Sequence, residues 1–210
     1  MLVERPGSPF FRYIPGDLQV VHNANLLACE VLARASTAVG GDARLEAAVT
    51  ATLDTTLRAQ RDDGSWPYAE NEHGWVDNFH TGYVLEALAA CVHLHHGAPA
   101  ALEAGHDFWA ANMFLPDGRP KYFPDKVRPY DAHNYAQAIP TWLAVSDRRV
   151  EAGERAEHLA ELLVLDLLAP DGYVCVEPRR LLSNTVPYIR WTTAPSFAAL
   201  AALLEYRSRA

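Results

Sequence analysis

Two short segments of the sequence combine an aromatic ring, a carboxylate and an imidazole. In order along the chain they carry Trp75, Asp77 and His80, and then Tyr130, Asp131 and His133. A carboxylic acid and an imidazole can transfer protons, and an aromatic ring beside them can stack on a sugar ring. The pattern predicts Asp77, His80, Asp131 and His133 as catalytic residues for acid/base chemistry.

A structural interpretation of the two carboxylates competes with the catalytic one. An Asp directly before an apolar helical run is a favoured N-cap that stabilises the helix by about 1 kcal/mol. Capping alone would therefore explain Asp77 and Asp131. If they are catalytic and lie on opposite sides of a glycosidic bond, one is the acid and the other the base or nucleophile, and their separation decides the stereochemistry.

Arg190 is a further catalytic candidate, within the run "YIRW". Its guanidinium group could pair with a uronate carboxylate or with Asp131, although structural Arg-carboxylate pairs that pin two helices are common. A lyase or an epimerase needs such a cation beside an enolate-like intermediate, with Tyr188 or an imidazole as proton carrier.

Polar and aromatic side chains near these segments are predicted to contact a neutral ligand. They are His22, Asn23, Asn25, Trp75, Asn78, Tyr83, Tyr130, Asn134, Gln137, Tyr188 and Trp191. For each Asn, a cap at a helix start is the competing interpretation. The run "HLHH" at 93–96 fits imidazoles at a helix C-terminus better than metal ligands, and no phosphate loop is present, so we expect no metal and no cofactor.

The elements that position these residues follow from an internal repeat. Asp-Gly pairs at Asp63-Gly64, Asp117-Gly118 and Asp171-Gly172 are 54 residues apart, and the same shift aligns Asp77 with Asp131 and with Asn23. Four copies of one unit are visible. A repeat of this length indicates units that bury their apolar faces against their neighbours.

Each unit has the periodicity of two helices, so it is predicted to be a helical hairpin. The predicted helices lie near residues 23–37, 43–59, 131–145, 154–168 and 194–208. In the second unit, Val84 to Val92 mark a first helix that Gly97 and Pro99 end, and Leu102 to Met113 mark the next. The chain is therefore all-α, and hairpins of this length form either an open solenoid or an α/α toroid with the first helices inside.

The turn after residue 59 distinguishes these architectures. Gln60, Gly64 and Trp66 have the spacing Q-x-x-x-G-x-W, which resembles the QW turn of the triterpene cyclases. The resemblance implies an α/α barrel in which this turn ties outer helices together. We expect Gln60 to bond carbonyls at the preceding helix end, Gly64 to adopt a positive φ, and Trp66 to stack beneath Gln60.

A closer resemblance covers most of the chain. The runs are "FRYIPGDLQVVHNANLLA", "QRDDGSWPY", "WVDNFHTGYVLEAL", "DGRPKYFPD", "DAHNYAQAI" and "YIRW". Together they are similar to an incompletely characterised family of α/α-toroid proteins found beside bacterial polysaccharide and secondary-metabolite genes. The family implies a toroid and glycan-related work. Its members are typically longer at the N-terminus, so this chain is expected to form an α/α toroid or a partial toroid. A homodimer, a partner chain or an unusually short barrel would each complete the ring.

Composition limits the classes of binding partner and the cellular compartment that we expect for the protein. The net charge of -8 and the absence of a Lys/Arg cluster argue against a nucleic-acid or anionic-membrane surface. The N-terminal run is not a secretory signal and no stretch is long enough for a membrane span, so a cytoplasmic protein with one domain over residues 1–210 is expected. Three distant cysteines favour buried reduced thiols.

The sequence thus predicts a carbohydrate-active enzyme that acts on a bacterial glycan or glycosylated metabolite, as a hydrolase or a lyase/epimerase. One alternative is a non-catalytic glycan-binding or scaffold protein. Another is a terpene cyclase or prenyl-chain enzyme that uses Asp62 and Asp63, but these residues lie in a turn at the end of an outer helix, and the acid-rich motif of such enzymes is missing.

Overall fold

A computed structural model describes residues 1–71, 73–177 and 186–209. The elements of these residues are β1 Leu2–Val3, β2 Phe10–Phe11, α1 His22–Ala38, α2 Ala43–Leu57, α3 Asn78–Cys91, α4 Ala98–Asn112, α5 Ala132–Leu143, α6 Ala152–Leu167 and α7 Ala194–Arg209. A 3-10 turn, Val92–Leu94, follows α3, and a π-helical segment, Ile189–Thr193, precedes α7. Every predicted helix is present. The short strands β1 and β2 were not predicted, because two residues carry no periodicity.

The chain divides into two compact units, Met1–Ala110 and Ala111–Ala210. A single domain over the whole chain therefore stays a prediction. Residues 178–185, which precede the run "YIRW", lie outside the described part of the chain.

Three helices begin at an aspartate whose side chain accepts backbone N–H groups of the first turn. These N-caps are Asp42 for α2, Asp77 for α3 and Asp131 for α5. Helix α1 begins differently, because its N-cap is Val21, which has no side-chain acceptor. Asn23 lies inside α1, so its alignment with Asp77 does not extend to the capping position.

In the first unit, α1 packs against both α2 and α3. Leu26, Leu53 and Leu88 are fully buried there. Helices α3 and α4 are joined by a hydrogen bond of 2.7 Å from the Trp109 indole N–H to Asn78 Oδ1. The buried apolar side chains and the hydrogen bond between Trp109 and Asn78 thus hold the first turn of α3 in place.

The turn at Gln60 joins α2 to α4, the second helices of successive hairpins. Gln60 Nε2 donates to Gly64 O and to Ala101 O of α4, both at 2.9 Å, and the Trp66 indole donates to Thr56 O at 2.9 Å. The predicted link between outer helices is present. The prediction that Gln60 bonds the end of its own preceding helix is wrong, since the carbonyls it reaches are in the turn and on α4.

In the second unit, α5 packs against α6 and α7. Ten of its twelve residues are buried, so α5 is enclosed on nearly all sides. The buried phenol of Tyr135 donates to Asp166 Oδ2 at 3.0 Å, and Arg119 pairs with the same carboxylate at 2.7 Å. Asp166 on α6 thus provides the hydrogen-bond acceptor for the hydroxyl group of Tyr135, which is fully buried.

The three Asp-Gly turns share one backbone conformation. Gly64, Gly118 and Gly172 have φ angles of +89°, +88° and +83°. The turns follow α2, α4 and α6 respectively, as expected for joints between hairpins. The length of the repeat as a structural unit stays a prediction.

Among the residues described, no helix is both long and apolar enough to cross a membrane. Cys29, Cys91 and Cys175 are buried and unpaired, as the sequence predicted.

The Asp-Gly turns offer a matched pair of substitutions. A Cβ at Gly64 would overlap the carbonyl oxygen of Ala104 on α4, whereas a Cβ at Gly172 meets nothing within 4 Å. Gly172→Ala isolates the cost of a positive φ, about 1–2 kcal/mol. We expect Gly64→Ala to lower the free energy of unfolding by about 2 kcal/mol more than that, because the backbone must also shift. Urea unfolding measures both free energies. Equal losses in the two variants would show that Gly64 is not in close contact with the backbone of α4.

Candidate functional site

Asp77 uses its two carboxylate oxygens for different purposes. Oδ1 accepts the backbone N–H of His80 at 3.0 Å, which is the N-cap interaction. Oδ2 lies 2.7 Å from His80 Nδ1 and accepts the Trp75 indole N–H at 3.2 Å. Asp77 is only 2% exposed. The capping interpretation is therefore confirmed, but it accounts for one oxygen only.

The imidazole of His80 is oriented by Asp77. Because Oδ2 of the carboxylate can only accept, Nδ1 carries the hydrogen and Nε2 is the acceptor of the neutral ring. The side chain of His80 is 24% exposed, and its ring lies 4.5 Å from that of Tyr68 and 4.1 Å from that of Phe79. Among the described residues, no hydrogen-bond partner is found for Nε2.

An aromatic pair stands beside this dyad. The rings of Tyr68 and Trp75 are stacked at 4.9 Å with an interplanar angle of 9°, and Trp75 is 42% exposed. A small pocket with a volume of about 10 Å³, which is room for about one water molecule, adjoins Asp77 and His80. The other residues that line it are Asn23, Trp66, Pro67, Tyr68, Thr81 and Val84. The pocket is far smaller than the roughly 300–1,000 Å³ of typical ligand sites, so a sugar must bind mainly on the exposed aromatic surface beside it.

Three predicted ligand contacts of the first unit are internal instead. Asn25 is fully buried, and its amide bonds Thr52 O, Thr56 Oγ1 and the backbone N–H of Phe11. Asn78 accepts from the Trp109 indole. Buried His22 lies 3.3 Å from Thr56 Oγ1 through Nδ1, and burial lowers its pKa to about 4.

The remaining predicted contacts of the first unit lie nearer the surface. Asn23 lines the pocket, and its role as a ligand contact stays a prediction. Tyr83 is half-buried, and burial raises the pKa of its phenol.

Asp131, in the second unit, is held in another way. Its Oδ1 accepts the backbone N–H of His133 at 2.9 Å, and the indole N–H of Trp191 lies 3.1 Å from both carboxylate oxygens. Burial raises the pKa of Asp131, against the opposing effect of these two donors and of the charge on His133. The carboxyl group thus keeps its proton to a higher pH than an exposed aspartate does.

His133 does not pair with Asp131 through its ring. Its Nδ1 lies 3.3 Å from the carbonyl oxygen of Trp191, and the two rings are 4.7 Å apart. The spacing Asp-x-His places the imidazole one residue earlier in the helical turn than the spacing Asp-x-x-His does. The two predicted acid-imidazole pairs therefore have different geometries.

The other predicted residues of the second unit are divided between interior and surface. Asn134 and Gln137 are buried on α5, where Gln137 Nε2 donates to Thr141 Oγ1 at 3.3 Å. Tyr188 and Arg190 are exposed. The possible pairing of Arg190 with Asp131 is absent among the residues described, where this carboxylate accepts the backbone N–H of His133 and the indole N–H of Trp191.

Tyr130 is half-buried, and the guanidinium group of Arg128 lies 5.6 Å from its ring. Tyr130 therefore stacks with a cation of its own loop.

The sequence did not identify Tyr68 as part of this site. Its backbone N–H donates to Trp75 O at 2.8 Å, so residues 68 and 75 pair across a loop. Two aromatic residues flanking a polar loop are the only signal for this pairing, and it is a weak one.

No group of three or more His, Cys, Asp or Glu side chains that could hold a metal ion occurs in the described part of the chain. In the run 93–96, His95 Nδ1 accepts the backbone N–H of Gly97 at 3.1 Å and its ring stacks on His96 at 4.7 Å.

No protein-family model and no curated protein matches the sequence. Solved structures do match the fold. A GH76 α-mannanase from Bacteroides thetaiotaomicron has a TM-score of 0.70 at 14% identity, over 95% of this chain and 57% of its own. A D-mannose isomerase has a TM-score of 0.68 at 14% identity, over 90% of this chain and 51% of its own.

An unsaturated glucuronyl hydrolase from Bacillus sp. GL1, responsible for the degradation of glycosaminoglycan, has a TM-score of 0.66 at 14% identity. The match covers 91% of this chain and 61% of the hydrolase. The chain thus spans about half to two thirds of the length of these structures. Their fold class is the α/α toroid of glycosidases, so the predicted fold class is confirmed.

Asn134 and Asn25 form a matched pair for a stability test. Both side-chain amides are buried. Nδ2 and Oδ1 of Asn25 form hydrogen bonds, whereas neither Nδ2 nor Oδ1 of Asn134 has a hydrogen-bond partner among the described residues. We expect Asn134→Leu to keep or raise the free energy of unfolding, because an unsatisfied buried amide costs about 1–3 kcal/mol. Asn25→Leu should lower it by about 3 kcal/mol. Chemical denaturation distinguishes the two, and a comparable loss in both would mean that Asn134 is also bonded.

Buried His22 makes stability depend on pH. Its pKa in the folded chain is about 4, below the roughly 6.5 of an unfolded chain. Above a pH of about 6.5, His22 is neutral in both states and does not lower the free energy of unfolding. As the pH falls from about 6.5 to 4, only the unfolded chain takes up the proton, so the free energy of unfolding decreases by about 3 kcal/mol. Denaturation at each pH should show a shallower decline for His22→Asn than for the wild type. Parallel declines would mean that His22 is protonated in the folded state.

Proposed function

We propose that the protein is a carbohydrate-active enzyme that acts on a bacterial glycan or a glycosylated metabolite by acid/base chemistry. The observation that carries the proposal is the carboxylate of Asp77. One of its oxygens caps α3, and the other holds the imidazole of His80 and the indole of Trp75. A helix cap requires only the first of these interactions.

In this site His80 is the group that exchanges protons with the substrate. It is partly exposed beside the pocket, whereas Asp77 is almost fully buried. A buried carboxylate that bonds Nδ1 fixes the tautomer and stabilises the imidazolium ion formed when Nε2 takes a proton. Asp77 is therefore the positioning residue of the dyad, and His80 is the general base.

The aromatic surface supports a sugar as the substrate. Trp75 is partly exposed, and its contacts with the stacked ring of Tyr68, the edge-on ring of His73 and the carboxylate of Asp77 hold it next to His80. Aromatic rings bind the apolar faces of sugars, while nearby polar groups such as Asn23 at the pocket select hydroxyl groups.

The second unit offers a different acid. Asp131 has a raised pKa because it is buried, and a carboxyl group that holds its proton more tightly than an exposed one can protonate a leaving oxygen. A general acid of this kind suits a glycoside hydrolase, whereas an imidazole base suits proton abstraction by a lyase or an epimerase. Both reaction types remain part of the proposal.

The solved structures with this fold support the sugar substrate without deciding the reaction. They include a mannanase, a mannose isomerase and a glucuronyl hydrolase. Because a hydrolase and an isomerase share this fold, the reaction is set by the residues of the site and not by the fold.

The proposal is tested with a panel of neutral oligosaccharides, uronate oligosaccharides and prenyl diphosphates. Binding and turnover are measured for the wild type, Asp77→Asn and His80→Gln. We expect a glycan to bind all three proteins and to be turned over by the wild type about 10²–10⁴ times faster than by either variant, the usual contribution of a positioned acid or base.

Asp42→Asn is the matched control, because Asp42 caps α2 through the N–H groups of Arg44 and Leu45. No imidazole or indole bonds Asp42 among the residues described. Its turnover should equal that of the wild type. A glycan that binds without turnover would favour the non-catalytic binder, and binding of prenyl diphosphate alone would contradict the sugar substrate.

A further inference from the structure

The indole N–H of Trp191 reaches a carboxylate that lies 60 residues earlier in the chain. Trp191 is in the π-helical segment before α7, and Asp131 is the N-cap of α5. Trp191 is 42% exposed and Asp131 is 8% exposed. A tryptophan that served only to fill the interior would be buried, so the exposed ring with its N–H turned inward indicates a different use.

Trp191 contacts both candidate groups of the first turn of α5. Its N–H lies 3.1 Å from each oxygen of Asp131, and its carbonyl oxygen lies 3.3 Å from Nδ1 of His133. The bifurcated bond fixes the plane of the carboxyl group. Since a carbonyl oxygen can only accept, Nδ1 of His133 carries the hydrogen in the neutral ring.

The backbone around Trp191 is anchored independently of these contacts. The buried hydroxyl of Thr192 donates to Val174 O at 2.8 Å, and the backbone N–H of Ala132 donates to Val176 O at 2.8 Å. One loop therefore ties the π-helical segment and the start of α5 together. Irregular π-helical turns of this kind are frequent at functional sites.

We propose that Trp191 is a positioning residue for Asp131. Its indole N–H fixes the orientation of the carboxyl group, and its carbonyl oxygen holds the imidazole of His133, so that the two groups face a substrate together. The inference rests on the proposed function for its use in catalysis, but the coupling of Trp191 to the ionisation of Asp131 does not require a substrate.

The ionisable groups around Asp131 allow the coupling to be isolated. His133 on α5 is the charged group that acts on the pKa of Asp131. On α6, Asp166 is held by Arg119 and Tyr135. The other ionisable residues of the neighbouring elements are Arg128 and Tyr130 before α5, Glu154, Arg155, Glu157, His158 and Glu161 on α6, Asp171, Tyr173, Cys175 and Glu177 in the loop after α6, Tyr188 and Arg190 before α7, and Glu205, Tyr206, Arg207 and Arg209 in its last turns.

The inference is tested by carboxyl ¹³C NMR of Asp131, assigned with Asp131→Asn, in the wild type, Trp191→Phe and Trp75→Phe. Phenylalanine keeps a ring but donates no hydrogen bond to the ionised carboxylate. The titration midpoint of Asp131 should therefore rise by about 1 unit in Trp191→Phe. Trp75→Phe, which removes the indole donor of Asp77, is the matched control and should leave the midpoint unchanged.

A second measurement uses the wild-type side chain and does not depend on the folding of Trp191→Phe. The indole N–H resonance of Trp191 should titrate with the midpoint of Asp131, and this titration should vanish in Asp131→Asn. An unchanged Asp131 midpoint in folded Trp191→Phe, or an indole signal that does not titrate, would overturn the inference. Absence of turnover on the glycan panel would count against the proposed function alone, since neither titration involves a substrate.

Discussion

The first turn of a helix leaves backbone N–H groups that must find an acceptor, and at α3 and α5 a buried carboxylate supplies it. The rest of the candidate site depends on this requirement. Once Asp77 or Asp131 is fixed by the helix, its remaining lone pairs are aimed at whatever lies beside the first turn. In both units this includes a tryptophan indole. Helix capping and the placement of a potential catalytic acid are thus one physical arrangement.

The two carboxylates nevertheless have different surroundings. Asp77 finds its partners within three residues on either side, and an imidazole is bonded to it directly. Asp131 finds its indole partner 60 residues later and has a raised pKa because of burial. A carboxylate that accepts from an imidazole orients the ring, whereas burial makes the carboxyl group of Asp131 retain its proton more readily. The repeat therefore presents two chemically distinct acids on similar frameworks.

The turns between hairpins explain how this fold is compatible with low sequence identity. At Gln60, a side-chain amide and a buried indole satisfy carbonyl groups of the turn and of both outer helices. Gly64 lies against the backbone of α4 with a positive φ. Such contacts constrain a few positions in each unit, while the remaining helix positions need only be apolar on the buried side. Structures at 14% identity can then share the α/α-toroid fold class.

The sequence by itself determined the helices, the Asp-Gly turns and the capping aspartates, because each depends on residues within one turn of the chain. It also identified the dyad of Asp77 and His80, whose partners are three residues apart. Only the tertiary structure decided which polar side chains are internal, as for Asn25, and which aromatic rings join the site, as for Tyr68. It alone showed Trp191 on Asp131. Burial and long-range hydrogen bonds depend on how distant segments pack, and this information is not present in local spacing.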